Sequence, residues 1–380
     1  MEFFVGAKAQ LKLDVITKVE QGKIPRKQAR QILGKSERTL ERYIASFRKE
    51  GVVFVRHGNQ GKKPRNRIDD DLKQKVQALV RNKYFDFNMT HCLEKLREEE
   101  KLLIRAETFR KWCHEIHHVK RKKRRRACVR HYRQRMQSTG LLLQMDGSPH
   151  KWFGNKDSTL IAAIDDADSD IVYGEFFPAE DTISCMTVLQ RIVERKGLFE
   201  ILYVDRAGIF GGHKRMEFSQ VKRALEELGI HIIYAQSPEA KGRVERMFQT
   251  LQDRMIPEMR MKNITTYPVA NKHLETEYLP KEWRKKFTVK PKKSLSSYKK
   301  LPPNIDLNEI FCMKYYRSVK RDHTVTFEAK LYAIKSPLKH SIYGQQIEFR
   351  VYQNLKWRAF YAGQPIELEL LETIERKAAA

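Results

Sequence analysis

Apolar positions along this 380-residue chain fall into three stretches with different periods. From 10 to 50 they recur at helical spacing. Leu13, Ile16 and Val19 mark a first helix, which Gly22 ends. Pro25 suits the first turn of a second helix with Ala29, Ile32 and Leu33 inward. Gly34 makes the turn, Ser36 caps a third helix, and Leu40, Tyr43, Ile44 and Phe47 line it. After the polar stretch Gly58 to Arg67, helical patterns return over 72–80, 90–96 and 107–116, with Phe109, Trp112, Cys113 and Ile116 inward.

The middle of the chain changes period. Leu141 to Met145, Thr159 to Ile164, Ile171 to Phe177, Ile201 to Val204 and His231 to Ala235 read as strands. Gly147 and Pro149 predict that the first strand stops at Asp146. Helices are predicted over 182–196, with Asp181 or Thr182 as its cap, over 214–228, and from Ser237-Pro238 onward. On the last, Val244, Phe248, Leu251 and Met255 form the buried stripe, and Gly242 permits a close backbone approach. Three strands, helix, strand, helix, strand, helix is an α/β order with a mixed sheet. A polar, basic linker with Pro291, Pro302 and Pro303 follows Met261. Five short strands come after it: Tyr315 to Val319, Thr324 to Phe327, Leu331 to Ile334, Gln346 to Val351 and Ala359 to Tyr361.

Charge sharpens this division. Lys and Arg number 75 against 47 Asp and Glu, a net +28 that points to a polyanionic partner, nucleic acid above all. The segment Leu141 to Pro257 carries 14 basic and 18 acidic residues, so the flanks hold the entire positive excess. The stretch Val119 to Arg135 has ten Lys/Arg and no acid, which suits a linker lying along DNA phosphates through Lys122, Arg124 and Arg125. No apolar run approaches the roughly 20 residues of a membrane span. The start lacks the layout of a signal peptide, so the protein is expected to stay where it is made. Five widely spaced cysteines without a CxxC fit reduced thiols. Cys113, His114, His117, His118 and Cys128 lack the paired CxxC that a zinc site would set opposite its histidines.

Two kinds of chemistry stand out. Arg38, Thr39 and Arg42 on the third helix, and Arg105, Arg110 and Lys111 around the sixth, suit contacts to phosphates and base edges in a major groove. Asp146 and Asp205 each follow an apolar strand, and Glu245 lies beside the stripe of the last core helix. Convergent carboxylates repel unless a divalent cation neutralises them, and oxygen donors select Mg²⁺ or Mn²⁺. Two such ions assist phosphodiester chemistry by stabilising attacking and leaving oxygens. Spacing alone leaves Asp165, Asp166 and Asp168 open as alternatives.

Three motifs resemble insertion-sequence transposases with a retroviral-integrase-type core, the ISNCY group in particular. They are Leu143-Gln144-Met145-Asp146-Gly147-Ser148-Pro149-His150-Lys151-Trp152, then Tyr203-Val204-Asp205-Arg206 with Phe210, and Ser237-Pro238-Glu239-Ala240-Lys241-Gly242-Arg243-Val244-Glu245-Arg246. The resemblance covers nearly the whole chain. It implies that Asp146, Asp205 and Glu245 are a catalytic DDE triad holding two Mg²⁺ or Mn²⁺ ions. One departure is Arg206-Ala207-Gly208, where many relatives have Asn-Gly after the second aspartate. The implied fold is multidomain: N-terminal all-α helix-turn-helix modules (1–57 and 68–118), a basic linker (119–140), a ribonuclease-H-like α/β core (141–261), a second linker (262–310) and a small β-barrel (311–373). The implied activity is binding of an element's inverted repeats, metal-dependent hydrolysis and 3′-hydroxyl strand transfer. An inactive DNA-binding regulator and a nuclease without strand joining are the alternatives. Lys241, Arg243 and Arg246 flank Glu245 as candidate phosphate contacts. The expected partners are double-stranded DNA and further copies of the chain, with no membrane, in a bacterial-type cytoplasm on the nucleoid.

Overall fold

The computed structural model describes residues 6–56, 59, 68–119, 134–154, 156–205, 220–235, 242–335 and 340–373. The chain divides into two compact units, Met1–Val76 and Gln77–Ala380. The first contains helices α1 (Ala7–Glu20), α2 (Arg26–Leu33) and α3 (Glu37–Glu50). Val15, Ile16, Ala29, Leu40, Ile44 and Phe54 form its core. Pro25 stands just before α2 as its N-cap, and Gly34 ends the helix in the left-handed region at φ 60°. The Ser36 hydroxyl accepts the Thr39 amide at 3.4 Å and caps α3. Ile32 is exposed, contrary to the sequence expectation. Ala29 and Leu33, one turn apart, take the inward stripe of this short helix and leave Ile32 on its flank.

Helix α4 (Asp70–Asn82) spans the division; α5 (Met89–Glu98) and α6 (Ala106–Glu115) belong to the second unit. Phe109, Trp112 and Cys113 are buried on α6, with Cys92, Leu93 and Leu96 buried on α5, while Ile116 is half-buried. Trp112 is therefore a core residue and not an exposed platform for bases.

The central sheet has the order β3-β2-β1-β4-β5, built from β1 (Leu142–Phe153), β2 (Lys156–Asp165), β3 (Ile171–Phe177), β4 (Ile201–Val204) and β5 (His231–Tyr234). The first three strands are antiparallel, while β4 and β5 run parallel to β1. Helix α7 (Thr182–Lys196), capped reciprocally by Asp181 and Ser184, covers one face together with α8 (Gln220–Glu227). Helix α9 (Gly242–Met261) covers the other. This is the mixed α/β core predicted from element order. The proposed cap Ser237-Pro238 lies outside the described residues.

Three sequence expectations need correction. Strand β1 does not stop at Asp146; it continues to Phe153. Past Gln144 its one strand partner among the described residues is β2. Pro149, which has no N–H to donate, is tolerated there. The span 262–310 is not simply a linker. Helix α10 (Tyr267–His273), a wider π-wound turn set (Leu274–Trp283) and α11 (Arg284–Lys286) bury Ala270, Leu274, Tyr278, Leu279 and Trp283 against the α9 face. Pro268 occupies the first turn of α10, and the π winding accommodates Pro280. Beyond α11 the main chain is pinned to the core, for example by Val289 N–H to Asp168 O at 2.8 Å.

The third correction concerns the C-terminal region, which follows the short α12 (Leu307–Ile310). Its strands are β6 (Met313–Ser318), β7 (Thr324–Phe327), β8 (Lys330–Ile334), β9 (Gln346–Val351), β10 (Trp357–Tyr361), β11 (Gln364–Ile366) and β12 (Leu368–Thr373). They form two sheets, β11-β10-β9-β6 and β12-β8-β7, and no closed barrel among the described residues. Each sheet keeps its own hydrogen-bonded hairpins, and the two share one apolar cluster in which the Phe327 and Phe349 rings stack at 4.1 Å. Side-chain packing takes the place of the ladder that would close a barrel.

Helix α5 is tied to α9 by charge. The Glu94 carboxylate receives both ends of the Arg254 guanidinium at 2.8 and 3.0 Å and Lys286 Nζ at 2.9 Å. Burial alone would raise the Glu94 carboxyl, but these cations outweigh it and hold the group at about 2. A carboxyl depressed by folding adds stability that is complete above its unfolded value near 4.3 and is lost as pH falls through the folded value. The melting temperature is therefore expected to fall between about pH 4.5 and 2, with a shallower fall in Glu94→Gln.

Candidate active site

Strand register builds the site. Strands β1 and β4 pair in parallel as Leu142↔Ile201, Leu143↔Leu202 and Gln144↔Tyr203. Two residues beyond that last pair stand Asp146, still within β1, and Asp205, just past the end of β4. Neighbouring strands lie about 4.8 Å apart. Alternation gives both aspartates one face: Met145 and Val204, the residues before them, enter the α7 core, so their successors turn to the α9 side. Both are half-buried. They sit in the notch where β4 ends and β1 continues.

Helix α9 lies along the same face. Gln252 Nε2 donates to Ser148 Oγ at 3.0 Å, and Ser148 shares a face with Asp146 two residues earlier. Glu245 precedes Gln252 by seven residues, close to two helical turns, and so occupies the same flank. Its carboxylate is exposed in the first turn. Among the described residues nothing lies within 4 Å of a Cβ added to Gly242.

The three alternative aspartates have other partners. Asp165 is buried and accepts the amides of Ala167 at 2.9 Å and Gly140 at 2.8 Å, with the Tyr298 hydroxyl at 3.2 Å. Burial, outweighing these bonds, raises its carboxyl to about 6. Asp166 is fully buried and accepts Met136 N–H and Gln144 Nε2, both at 2.8 Å, and pairs with Arg243. Asp168 accepts the Asp170 amide at 2.8 Å and shapes the turn. These acids close the β2–β3 turn and anchor the main chain before β1.

A further carboxylate, Glu180, lies against Gly147 on the α7 side of β1. A Cβ added to Gly147 would lie 2.2 Å from Glu180 Oε2 and 2.6 Å from its Cδ. The buried Cys185 thiol registers the acidic surroundings: burial first, then Glu180, Asp181, Asp146 and Asp205, push it well above its usual range. Glu180 also lines a cleft of about 610 Å³ with Pro149, His150, Lys151 and Thr159. Glu180 carries no signal of its own in the sequence, because the adjacent Asp181 already accounts for the helix start. The Asp146-Gly147 pair was its one signal, since only Gly leaves room for that carboxylate. Gly147→Ala is expected to cost about 1–3 kcal/mol, mostly recovered in the double variant with Glu180→Ala, as read by denaturant unfolding.

Of the candidate DNA contacts, Arg38, Arg42, Arg105, Lys111 and Arg246 are exposed, and Thr39 is half-buried beside its cap. Arg110 is exposed but forked onto Glu107 of its own helix at 2.8 and 2.6 Å. Arg243 is turned to Asp166 and away from open solvent. Lys122, Arg124, Arg125 and Lys241 lie outside the described residues, as do Arg206 to Phe210 and Cys128. Among the described residues no group of three or more His, Cys, Asp or Glu forms a ready metal cage, and no helix is long and apolar enough to cross a membrane. The donors at the notch are carboxylate oxygens, the set that suits Mg²⁺ or Mn²⁺.

No family model matches the chain. It is 31% identical over 359 residues to the transposase for insertion sequence IS1202 of Streptococcus pneumoniae, covering 84% of this chain and 76% of that one. The chain belongs to the insertion-sequence transposases. This transposase is also 28% identical over 377 residues to y4bF, an inferred transposase of Sinorhizobium fredii, across 96% of this chain and 81% of that protein. Among solved structures it is similar to the catalytic core domain of BIV integrase, at 18% identity, TM-score 0.28, and 35% of this chain against 79% of that one. It is also similar to a simian T-cell lymphotropic virus intasome chain, at 12% identity and TM-score 0.34, covering 80% of the transposase and 100% of the viral chain.

Proposed function

We propose that this transposase binds the terminal inverted repeats of its element, hydrolyses a phosphodiester bond there and joins the freed 3′-hydroxyl to target DNA. The observation that carries this reading is the β1–β4 register, which sets Asp146 and Asp205 side by side on the face that α9 covers. Asp146, Asp205 and Glu245 would hold two Mg²⁺ or Mn²⁺ ions. When bound, the ions lower the cost of forming the attacking oxygen and of releasing the leaving one. The protein's own part is placement. In this reading two carboxylates come from the sheet and the third from α9, and Arg246 in the first turns of α9 suits a neighbouring phosphate. Joining two element ends implies at least two copies of the chain on the DNA, and this activity suits a nucleoid-associated protein of a bacterial-type cytoplasm.

The helical modules would supply end recognition. Arg38 and Arg42 belong to α3, and Lys111 to α6 with Arg105 as its N-cap, two helices that suit a helix-turn-helix reader. Arg105→Ala with Lys111→Ala is expected to weaken end binding and to lower the slope of log affinity against log salt by roughly two. Arg110→Ala is expected to change affinity less, because Glu107 already occupies its guanidinium.

The test of the reading is direct. Purified protein is incubated with labelled end DNA, a target plasmid and Mg²⁺. Joined products support it. Binding without nicking even with Mn²⁺ favours a regulator, and nicking without joining favours a nuclease.

A further inference from the structure

Helix α9 carries two features at opposite ends. Glu245 stands in its first turn, while Arg254, Glu258 and Arg260 near its other end meet α5 and the turn before it. His91 Nε2 lies 2.8 Å from Glu258 Oε1, both residues being buried. Lys95 Nζ reaches the same oxygen at 3.2 Å. Arg254 forks onto Glu94, and Arg260 forks onto Asp86 at 2.7 and 2.8 Å while also donating to Lys83 O at 2.9 Å. Lys286 joins Glu94 and Glu98 from the α11 side, at 2.9 and 3.3 Å.

This contact differs from a greasy one in a useful way. An apolar seam tolerates sliding, whereas forked guanidinium–carboxylate pairs accept one orientation. Removing one partner of a buried pair leaves the other uncompensated, so partial slippage is costly. The α5–α6 pair is therefore set at one angle and one height on the catalytic helix. From Glu245 to Glu258 the helix rises about 20 Å at 1.5 Å per residue. Stacked bases advance about 3.4 Å each along DNA, so the offset corresponds to roughly six base pairs.

We infer that the charged weld between α5 and α9 is a ruler: it fixes the distance between the DNA-reading surface of α6 and the carboxylate notch, and so selects which phosphodiester is cut. The inference rests on the DNA-cutting function proposed above. It assigns Asp86, His91, Glu94, Arg254, Glu258 and Arg260 as positioning residues that never touch DNA.

The experiment maps cut positions at single-nucleotide resolution. The full-length protein is given Mg²⁺ and a labelled duplex ending in the DNA that flanks its own coding sequence. Wild type is compared with Glu94→Gln/Arg260→Gln, with Glu258→Gln, and with the swapped pair Asp86→Arg/Arg260→Asp. The wild type is expected to cut one dominant bond. The loosened variants are expected to stay folded by thermal melting and to bind the duplex within about threefold of wild type. Their cuts are expected to spread to neighbouring bonds, with the dominant share falling at least about twofold, as loosened placement of reacting groups entails. The swapped pair is expected to restore the single position. Folded variants that cut only the wild-type bond, merely more slowly, would overturn the ruler alone. A wild type that binds the duplex and never cuts it would overturn the proposed activity, and the ruler with it.

Discussion

Replacing Asp205 by Asn is expected to slow both cutting and joining by at least about a thousandfold, some 4 kcal/mol of lost transition-state stabilisation. The substitution keeps the size of the side chain and removes its charge, so the β4 end should fold as before. Binding to end DNA should be unchanged or slightly tighter, because one negative charge leaves a surface that faces phosphates. Cleavage rates with Mg²⁺ and a filter-binding isotherm on the same preparation check the two halves separately. Equal activity in variant and wild type would sink the assignment of Asp205.

The second large effect falls on an aspartate outside the notch. Asp166→Ala is expected to cost about 3–5 kcal/mol of folding stability, the range for breaking a buried charge pair. Asp166 is fully buried and receives Met136 N–H, Gln144 Nε2 and the Arg243 guanidinium. Its loss strands the Gln144 amide, whose oxygen already has no partner among the described residues. It also detaches the chain that enters β1. Denaturant unfolding should show a lower midpoint with an unchanged slope. The contrast with Asp205→Asn is diagnostic: one variant is folded and inert, while the other loses activity only in proportion to its unfolding.

The strands and helices of the core were legible because their periods are clean and their caps chemically plain. Asp181 with Ser184 and the left-handed Gly229 stand where the sequence put a start and a stop. The length of β1 was not legible. Gly147 and Pro149 are ordinary strand breakers, and their tolerance depends on β4 ending early, a fact of pairing rather than of local sequence. The buried helical stretch after Met261 was hidden by Pro268, Pro280 and many charges, although Ala270, Leu274 and Tyr278 recur every fourth residue. At the site, the sequence offered six aspartates and glutamates without ranking them, and likeness to transposases ranked them. Asp165, Asp166 and Asp168 are engaged by main-chain amides and Arg243, and Asp146 and Asp205 follow the paired stretch of two adjacent parallel strands. Glu180 was invisible because its meaning lies in a contact with Gly147, thirty-three positions away.

The central claim is that Asp146, Asp205 and Glu245 act together on one set of divalent ions. Mn²⁺ binding followed by electron paramagnetic resonance, on the protein bound to end DNA, tests it most directly. The account predicts about two tightly held ions per active chain in the wild type, as a two-metal site requires. It predicts loss of tight binding in Asp146→Asn, Asp205→Asn and Glu245→Gln alike, with Asp165→Asn retaining it. Undiminished Mn²⁺ binding in Glu245→Gln or Asp146→Asn would contradict the account.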